Sequence, residues 1–293
     1  MDAAKLRVRF EAAPYNARLG IRVEATEPDR AQVRVPYKDE NSNPGRALHG
    51  GVIASAIDIA GALAVWAGLE ERPALETGTL DLSVDYLAAA IGEDIIANAQ
   101  VLRRGKEIAY SEVDVRNDAG KRIAKGLVTY RAFDRAAVPA AAERQRTMVA
   151  QSLDELTGHT ASGARAFMAV PFIARLGMDA ERAYDGRAHL LMPFRNENAD
   201  GDGAVHEGVL AALIDTAGAL ASWSVTGFDF TYKASTVGIH VSYHTPARGE
   251  DVVAHARTLR RNNEIFLNEV TVSNRADGRV VATGSVTYRI VVA

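Results

Sequence analysis

A chain of 293 residues with 47% hydrophobic content can bury one large core or two of about 130 residues each, which excludes a disulfide-stapled miniprotein and a disordered tail. It has no cysteine, so a thiol nucleophile, a thiolate metal cage and a disulfide framework are excluded, and a reducing compartment, the cytoplasm, is expected. Lys and Arg number 34 against 37 acidic residues, with net charge −3 and pI near 6.2, so no global basic field draws in nucleic acid or anionic membrane, and an anionic ligand needs a local basic patch.

The first residues, Met1-Asp2-Ala3-Ala4-Lys5, run into alternating charge without an apolar stretch and read as part of the mature protein. Ala31-Gln32-Val33-Arg34-Val35 alternates as a half-buried strand, a loop rich in Asn, Pro and Gly runs from Asp39 to Arg46, and an apolar run extends from Gly50 to Trp66. That run approaches the length of a membrane span. Asp58 sits near its middle, however, and a central carboxylate costs about 2.5–3.5 kcal/mol on insertion scales. A helix apolar on every side is then one surrounded by protein, at the centre of its domain. Four strands are expected next, at Thr79–Tyr86, Ile96–Leu102, Ala109–Arg116 and Ile123–Tyr130. They should form an antiparallel meander broken at Arg103-Arg104-Gly105-Lys106 and at Asn117-Asp118-Ala119-Gly120, with Gly120 at positive φ.

The pattern then recurs. Ala47-Leu48-His49-Gly50-Gly51-Val52 returns 157 residues later as Ala204-Val205-His206-Glu207-Gly208-Val209. At the same shift Arg18-Leu19-Gly20 becomes Arg175-Leu176-Gly177, Asp58 becomes Asp215, Trp66 becomes Trp223, Tyr86 becomes Tyr243, and Leu102-Arg103-Arg104 becomes Leu259-Arg260-Arg261. Between 51–66 and 208–223, 11 of 16 positions are identical, so the chain is a duplicated domain rather than a solenoid of short repeats. The expected division is a first domain over 1–131, a partly helical connector over 132–168 and a second domain over 169–293. The fold class is α+β: a curled antiparallel sheet wrapped around one buried helix, twice.

Asp58 and Asp215 stand in helices with almost no other polar side chain, where desolvation raises the pKa of an unpaired carboxyl. A single buried acid is more often a structural one. Its recurrence, with His49 and His206 each nine residues earlier at the helix entrance, points instead to a site. Gly50 and Gly51 allow a tight turn and expose helix-start N–H groups suited to a developing oxyanion.

The string Asn43-Pro44-Gly45-Arg46-Ala47-Leu48-His49-Gly50-Gly51, with Asp58 and the strand Thr79–Tyr86, resembles the hotdog-fold acyl-CoA thioesterases of the phenylacetate-pathway (PaaI-like) type, and does so in both copies. The resemblance implies a tandem, or double, hotdog whose two halves pair as separate subunits do in single-domain relatives, with each active site shared between halves. One composite site would join Asn43, His49 and the Gly50 N–H to Asp215 and Thr236. The other would join Asp200, His206 and the Glu207 N–H to Asp58 and Thr79, and departs from the pattern at Asp200, where Asn is expected, and at Glu207, where Gly is expected. A carboxylate cannot donate a hydrogen bond to a leaving thiolate, so the first site is expected to be the stronger and the second inactive, altered or structural. The implied reaction is hydrolysis of an acyl thioester to free acid and coenzyme A, the Asp acting as base or nucleophile and the Thr orienting water.

Coenzyme A enters as part of the substrate and no other cofactor is expected. Arg103, Arg104, Arg260 and Arg261 are candidate phosphate ligands, weighed against a solvated turn. His240 and His244 lie on an alternating strand without an acidic third ligand, so no metal is expected. Trp66 and Trp223 are expected to cap the core at the helix ends. Hotdog relatives commonly associate further, so a homo-oligomer is expected. The competing readings are a hotdog hydratase or dehydratase and a non-catalytic acyl-CoA-binding module.

Overall fold

The two apolar runs form the helices on which each half is built. The computed structural model describes residues 2–70, 75–134 and 162–291. The first half runs α1 (Ala3–Ala12), α2 (Pro14–Leu19), β1 (Arg22–Glu27), β2 (Arg30–Val35), α3 (Gly50–Ala67), β3 (Leu75–Tyr86), β4 (Ile95–Arg104), β5 (Ile108–Arg116) and β6 (Arg122–Asp134). The second half repeats that order as α4 (Ser162–Met168), α5 (Pro171–Leu176), β7 (Asp179–Tyr184), β8 (Arg187–Met192), α6 (Glu207–Thr226), β9 (Lys233–Tyr243), β10 (Val252–Asn262), β11 (Ile265–Asn274) and β12 (Val280–Val291). Most of the expected connector lies outside the described residues; its carboxyl-terminal part includes α4.

All strand pairs are antiparallel, and the strands form one twelve-stranded sheet in the order β1-β2-β4-β5-β6-β3-β9-β12-β11-β10-β8-β7. The fold is the α+β double hotdog. The short helices α1, α2 and α5 were not read from the sequence, and two details of the strands also differ from that reading. β1 was not anticipated, although Ile21 to Thr26 alternates apolar and polar; a register shift between Val23 and Ala25 breaks the buried face, and only Val23 of the strand is buried. The four later strands do not run as a simple meander: β2 takes the free edge of β4, so β3 pairs with β6 and its other edge is left to meet β9. Gly120 does adopt φ 80° in the turn between β5 and β6.

The halves are joined at three levels. In the sheet, β3 and β9 pair through Leu82–Val241 and Val84–Ile239. At this seam His240 bonds Ser83 Oγ at 2.8 Å and lies 3.2 Å from Asp81 Oδ2, while His244 bonds Thr283 Oγ1 at 2.9 Å, so both histidines serve the sheet. Beneath the sheet, α3 and α6 lie side by side, with every residue from Gly51 to Trp66 and from Gly208 to Trp223 buried. Both helices are long and apolar enough to cross a bilayer, but 89% of each apolar window is buried inside the protein. At the helix ends, Trp66 Nε1 donates to Tyr130 Oη at 2.9 Å and Trp223 Nε1 to Tyr288 Oη at 3.2 Å, the core-capping arrangement expected.

The third level is a pair of crossed arginines. Arg18 donates to Asn198 Oδ1 and to the Arg175 carbonyl, and Arg175 donates to Asn41 Oδ1 and to the Arg18 carbonyl. Asn41 and Asn198 in turn accept the backbone N–H of His49 and His206 through their carbonyls, both at 3.0 Å. Each half thus braces the loop that delivers the other half's histidine.

Candidate active site

His49 precedes α3 in extended backbone, and its Nδ1 accepts the Gly51 N–H at 3.0 Å; His206 does the same for Gly208 at 3.0 Å. These bonds cap the helices and fix each ring as the neutral tautomer with its proton on Nε2. Burial drives both imidazoles down to about pKa 4, so neither is charged at neutral pH. Each ring also rests on an aromatic from the other half: His49 on Phe172 with centroids 4.8 Å apart, His206 on Tyr15 at 5.0 Å. Sequence reasoning missed this aromatic pair, although an aromatic at 15 and again at 172, one repeat apart, was a readable signal.

Across the helix pair, Asp215 brings Oδ2 to 3.8 Å from His49 Nδ1. Thr236 Oγ1 donates to Asp215 Oδ1 at 2.6 Å, and Thr79 Oγ1 to Asp58 Oδ1 at 2.6 Å. Each Thr is followed by a strand irregularity, at Leu80 in β3 and Val237 in β9; a bulge at this place re-aims the side chain. Burial pushes Asp215 up to about pKa 6, with the Thr236 hydrogen bond acting in the opposite direction. A carboxyl poised there is ionised yet basic at neutral pH.

Gly50 is needed at its position. A Cβ on it would lie 2.7 Å from Asp215 Oδ2 and 3.5 Å from Tyr86 Cζ. Among the described residues its N–H has no acceptor, so it remains a donor at the positive end of α3. Tyr86 Oη donates to the Gly50 carbonyl at 3.0 Å, and Tyr243 Oη to that of Glu207 at 3.0 Å. Both tyrosines were visible as repeat matches but had been given no role. Asn43 opens a tight turn closed by its N–H to the Ala47 carbonyl at 2.7 Å, and its side-chain amide makes no hydrogen bond among the described residues.

The second constellation also comes together. Asp58, Thr79, Asp200, His206 and Glu207 line one cavity of about 120 Å³, with Phe10, Ile59, Ala62 and Trp66 on its apolar side. The site that departs from the expected pattern therefore retains a cavity. Asp200 Oδ1 accepts the N–H groups of Asp202 and Ala204 at 2.8 and 2.9 Å, a local turn an Asn oxygen would make equally well. Asp58, His206 and Glu207 place ligand-type atoms within 4.8 Å of one another. This is the one group among the described residues with the composition of a cation site. It does not suit one as it stands, because the single lone pair of the neutral His206 ring is used to cap Gly208.

Burial, with the Asp58 charge next in weight, pushes the Glu207 carboxyl up to about pKa 8. The native state thus holds its proton more tightly than the unfolded chain does. Its contribution to stability is complete below the ordinary pKa of 4.5 and is lost as pH rises through 8. Asp58 and Asp215, raised to about 6, complete their change earlier. Below about pH 6.5 the depressed imidazoles of His49 and His206 act in the opposite direction, so the wild type should lose stability chiefly above that pH, as Glu207 ionises. Glu207→Gln should remove most of the decline above pH 6.5, as read from urea melts at several pH values.

The arginines fall elsewhere. Arg104 donates to Asp29 and to the Val65 carbonyl at the carboxyl end of α3, far along the helix from His49. Arg261 lies over the Phe266 ring at 5.2 Å. Arg103 and Arg260 are exposed, and none of the four lines the cavity.

The thioesterase superfamily model matches residues 45–124 and 202–282, one segment in each half and together more than half the chain. The chain belongs to the thioesterase superfamily. Its chemistry is thioester hydrolysis. Among curated relatives, the Escherichia coli medium/long-chain acyl-CoA thioesterase YigI is 34% identical over 132 residues, covering 40% of this thioesterase and 84% of that protein. Human acyl-coenzyme A thioesterase 13 is 32% identical over 127 residues, covering 42% and 89%. A Halobacterium salinarum protein whose name reads "putative esterase" is 40% identical over 100 residues, covering 33% of this chain and 66% of its own length, just under two thirds. The Mycobacterium avium subs paratuberculosis tesB protein superposes with TM-score 0.62 at 13% identity over 99% of this chain and 100% of that one. A hot dog fold protein from Alicyclobacillus acidocaldarius gives TM-score 0.63 at 15% identity over 89% and 94%. At these identities the structures establish the fold, and the two-domain likeness extends over nearly the whole chain.

Proposed function

We propose that this thioesterase hydrolyses acyl-CoA to the free acid and coenzyme A, and does so at the site that joins Asn43, His49 and Gly50 of the first half to Asp215 and Thr236 of the second. The observation that carries the reading is the trans arrangement itself. A buried carboxylate held by a threonine hydroxyl faces, on the opposite helix, a helix-start N–H that has no acceptor among the described residues. The thioester carbonyl oxygen points at the Gly50 N–H, where one such donor is worth about 3–4 kcal/mol toward the oxyanion. Asp215 Oδ2 takes a proton from a water as its oxygen bonds the carbonyl carbon. Thr236 holds the other carboxylate oxygen so that the basic one faces the substrate. The tetrahedral intermediate then collapses: the C–S bond breaks, the Asn43 amide donates to the departing sulfur, and the proton on Asp215 passes to the thiolate.

The relatives named as acyl-CoA thioesterases support the substrate class. The exposed Arg103 and Arg260 are available to the phosphates of coenzyme A, and a rise in KM for both alanine variants that grows with salt would be the sign of that contact. Exposed Leu102, Tyr110 and Leu127 on one half, and Leu259 and Leu267 on the other, offer an outer sheet face for a second copy of the chain. The cysteine-free composition suits a cytoplasmic enzyme. The deciding experiment is thiol release from short, medium, long and aromatic acyl-CoAs. Turnover of at least one class is expected. Binding without release across the panel would leave a non-catalytic module.

A further inference from the structure

The second constellation differs from the first mainly by one side chain, and that side chain points into the site. Glu207 occupies the helix position of Gly50. Its carboxyl reaches across to β3, where a Cβ on Gly78 would lie 3.9 Å from Oε1. It lies against the backbone N–H of Thr79 and against its own N–H. That last N–H is the counterpart of the Gly50 donor. The same carboxyl comes within 4.8 Å of Asp58, the acid that Thr79 holds ready on this side.

We propose that this half-site is a latent thioesterase site held closed by the Glu207 side chain, so that the wild-type chain works at one site and removal of that side chain opens a second. The inference rests on the assignment of the Asn43–Asp215 site above. A carboxyl is a planar group with two oxygens, like the acid a thioesterase releases, and here it takes the place of the thioester carbonyl. It covers the oxyanion donor and engages the base at the same time. Burial and the Asp58 charge both favour the protonated form of this carboxyl, and a protonated carboxyl can donate to the Asp58 carboxylate instead of repelling it.

Apart from Asp200, which keeps the turn but lacks the amide donor of Asn43, the rest of the site has not decayed. Asp58 and Thr79 keep the geometry of Asp215 and Thr236 to the same 2.6 Å bond. His206 keeps the helix cap. The Asp200 turn is intact, and the apolar wall of Phe10, Ile59, Ala62 and Trp66 still encloses open volume. Glycine at the first position of α3 shows that the helix start tolerates the change.

The test counts sites. S-(2-oxododecyl)-coenzyme A, a ketone that cannot be hydrolysed, is titrated into the full chain by calorimetry. One equivalent per wild-type chain and two for Glu207→Gly and Glu207→Ala are expected, with Glu207→Gln, which keeps the bulk, still at one. Turnover gives the second readout. Asp215→Asn/Glu207→Gly should recover at least tenfold over Asp215→Asn alone and lose it again when Asp58→Asn is added. Two equivalents in wild type, or one in both the Gly and Ala variants with unchanged melting behaviour, overturns the proposal. No binding to wild type but one equivalent to Glu207→Gly would sink the assignment of the first site and leave the latent site standing. No binding to any variant overturns both.

Discussion

Asp215→Asn is expected to lower kcat for acyl-CoA hydrolysis at least a hundredfold, while Asp58→Asn changes it by less than about threefold. The first figure follows from the role: a positioned general base contributes roughly 10² to 10⁴. Asn keeps the volume and can still accept from Thr236, so the fold should survive and the loss should fall on kcat rather than KM. The second figure follows from Glu207, which occupies the acceptor position facing Asp58. Steady-state kinetics of the two single variants decide the matter. Equal partial losses would mean two working sites, and full activity in Asp215→Asn would remove Asp215 from the chemistry. The pH profile gives an independent check: with the Asp215 carboxyl near pKa 6, kcat should rise with pH through that value and level off above it, and this limb should vanish in Asp215→Asn.

Gly51→Val should destabilise the protein by more than about 3 kcal/mol and reduce turnover as well, because the helix contact it disrupts is also the contact that aligns the site. A Cβ at Gly51 would lie 2.4 Å from the Cβ of Ala212 and 2.9 Å from its Cα, and one at Gly208 would lie 2.5 Å from Ser55 Oγ and 3.0 Å from the Ser55 Cα. The Ser55 hydroxyl can rotate away, but the Ala212 Cβ and Cα and the Ser55 Cβ and Cα have no rotamer to retreat into. The helices would have to separate, carrying His49 away from Asp215. Gly51→Ala should cost about 1–3 kcal/mol, a fall of roughly 2–5 °C in Tm for a chain of this size. Gly201→Ala, where an added Cβ meets nothing within 4 Å, is the matched control and should be neutral. A Gly51→Val protein melting with wild type would show that α3 and α6 do not depend on this close approach.

Much of this was legible in the chain itself. Duplication follows from identities at a fixed shift, and the buried helices follow from runs that are apolar on every face, because a side-chain pattern repeated along one segment depends only on that segment. The pairing of Asp58 with Thr79 and of Asp215 with Thr236 came from the resemblance, and the geometry brings those residues to hydrogen-bond distance. The strand positions were also readable wherever one face is buried; β1, with one buried residue, alternates from Ile21 to Thr26 but was not anticipated.

What only the tertiary structure decided is whatever depends on two segments meeting. The order of strands is one such case: β3 pairs with β6 and β9 because β2 has taken the edge of β4, and no local pattern records that competition. The crossed arginines Arg18 and Arg175, and the aromatic rings behind His49 and His206, are another, since their partners lie in the opposite half. The direction of Glu207 is the last. The sequence placed a glutamate where a glycine was expected, but only the fold shows that it turns into the site, toward Gly78 on β3 and within 4.8 Å of Asp58. Periodicity is a property of one strand or helix, whereas a site is formed by distances between them.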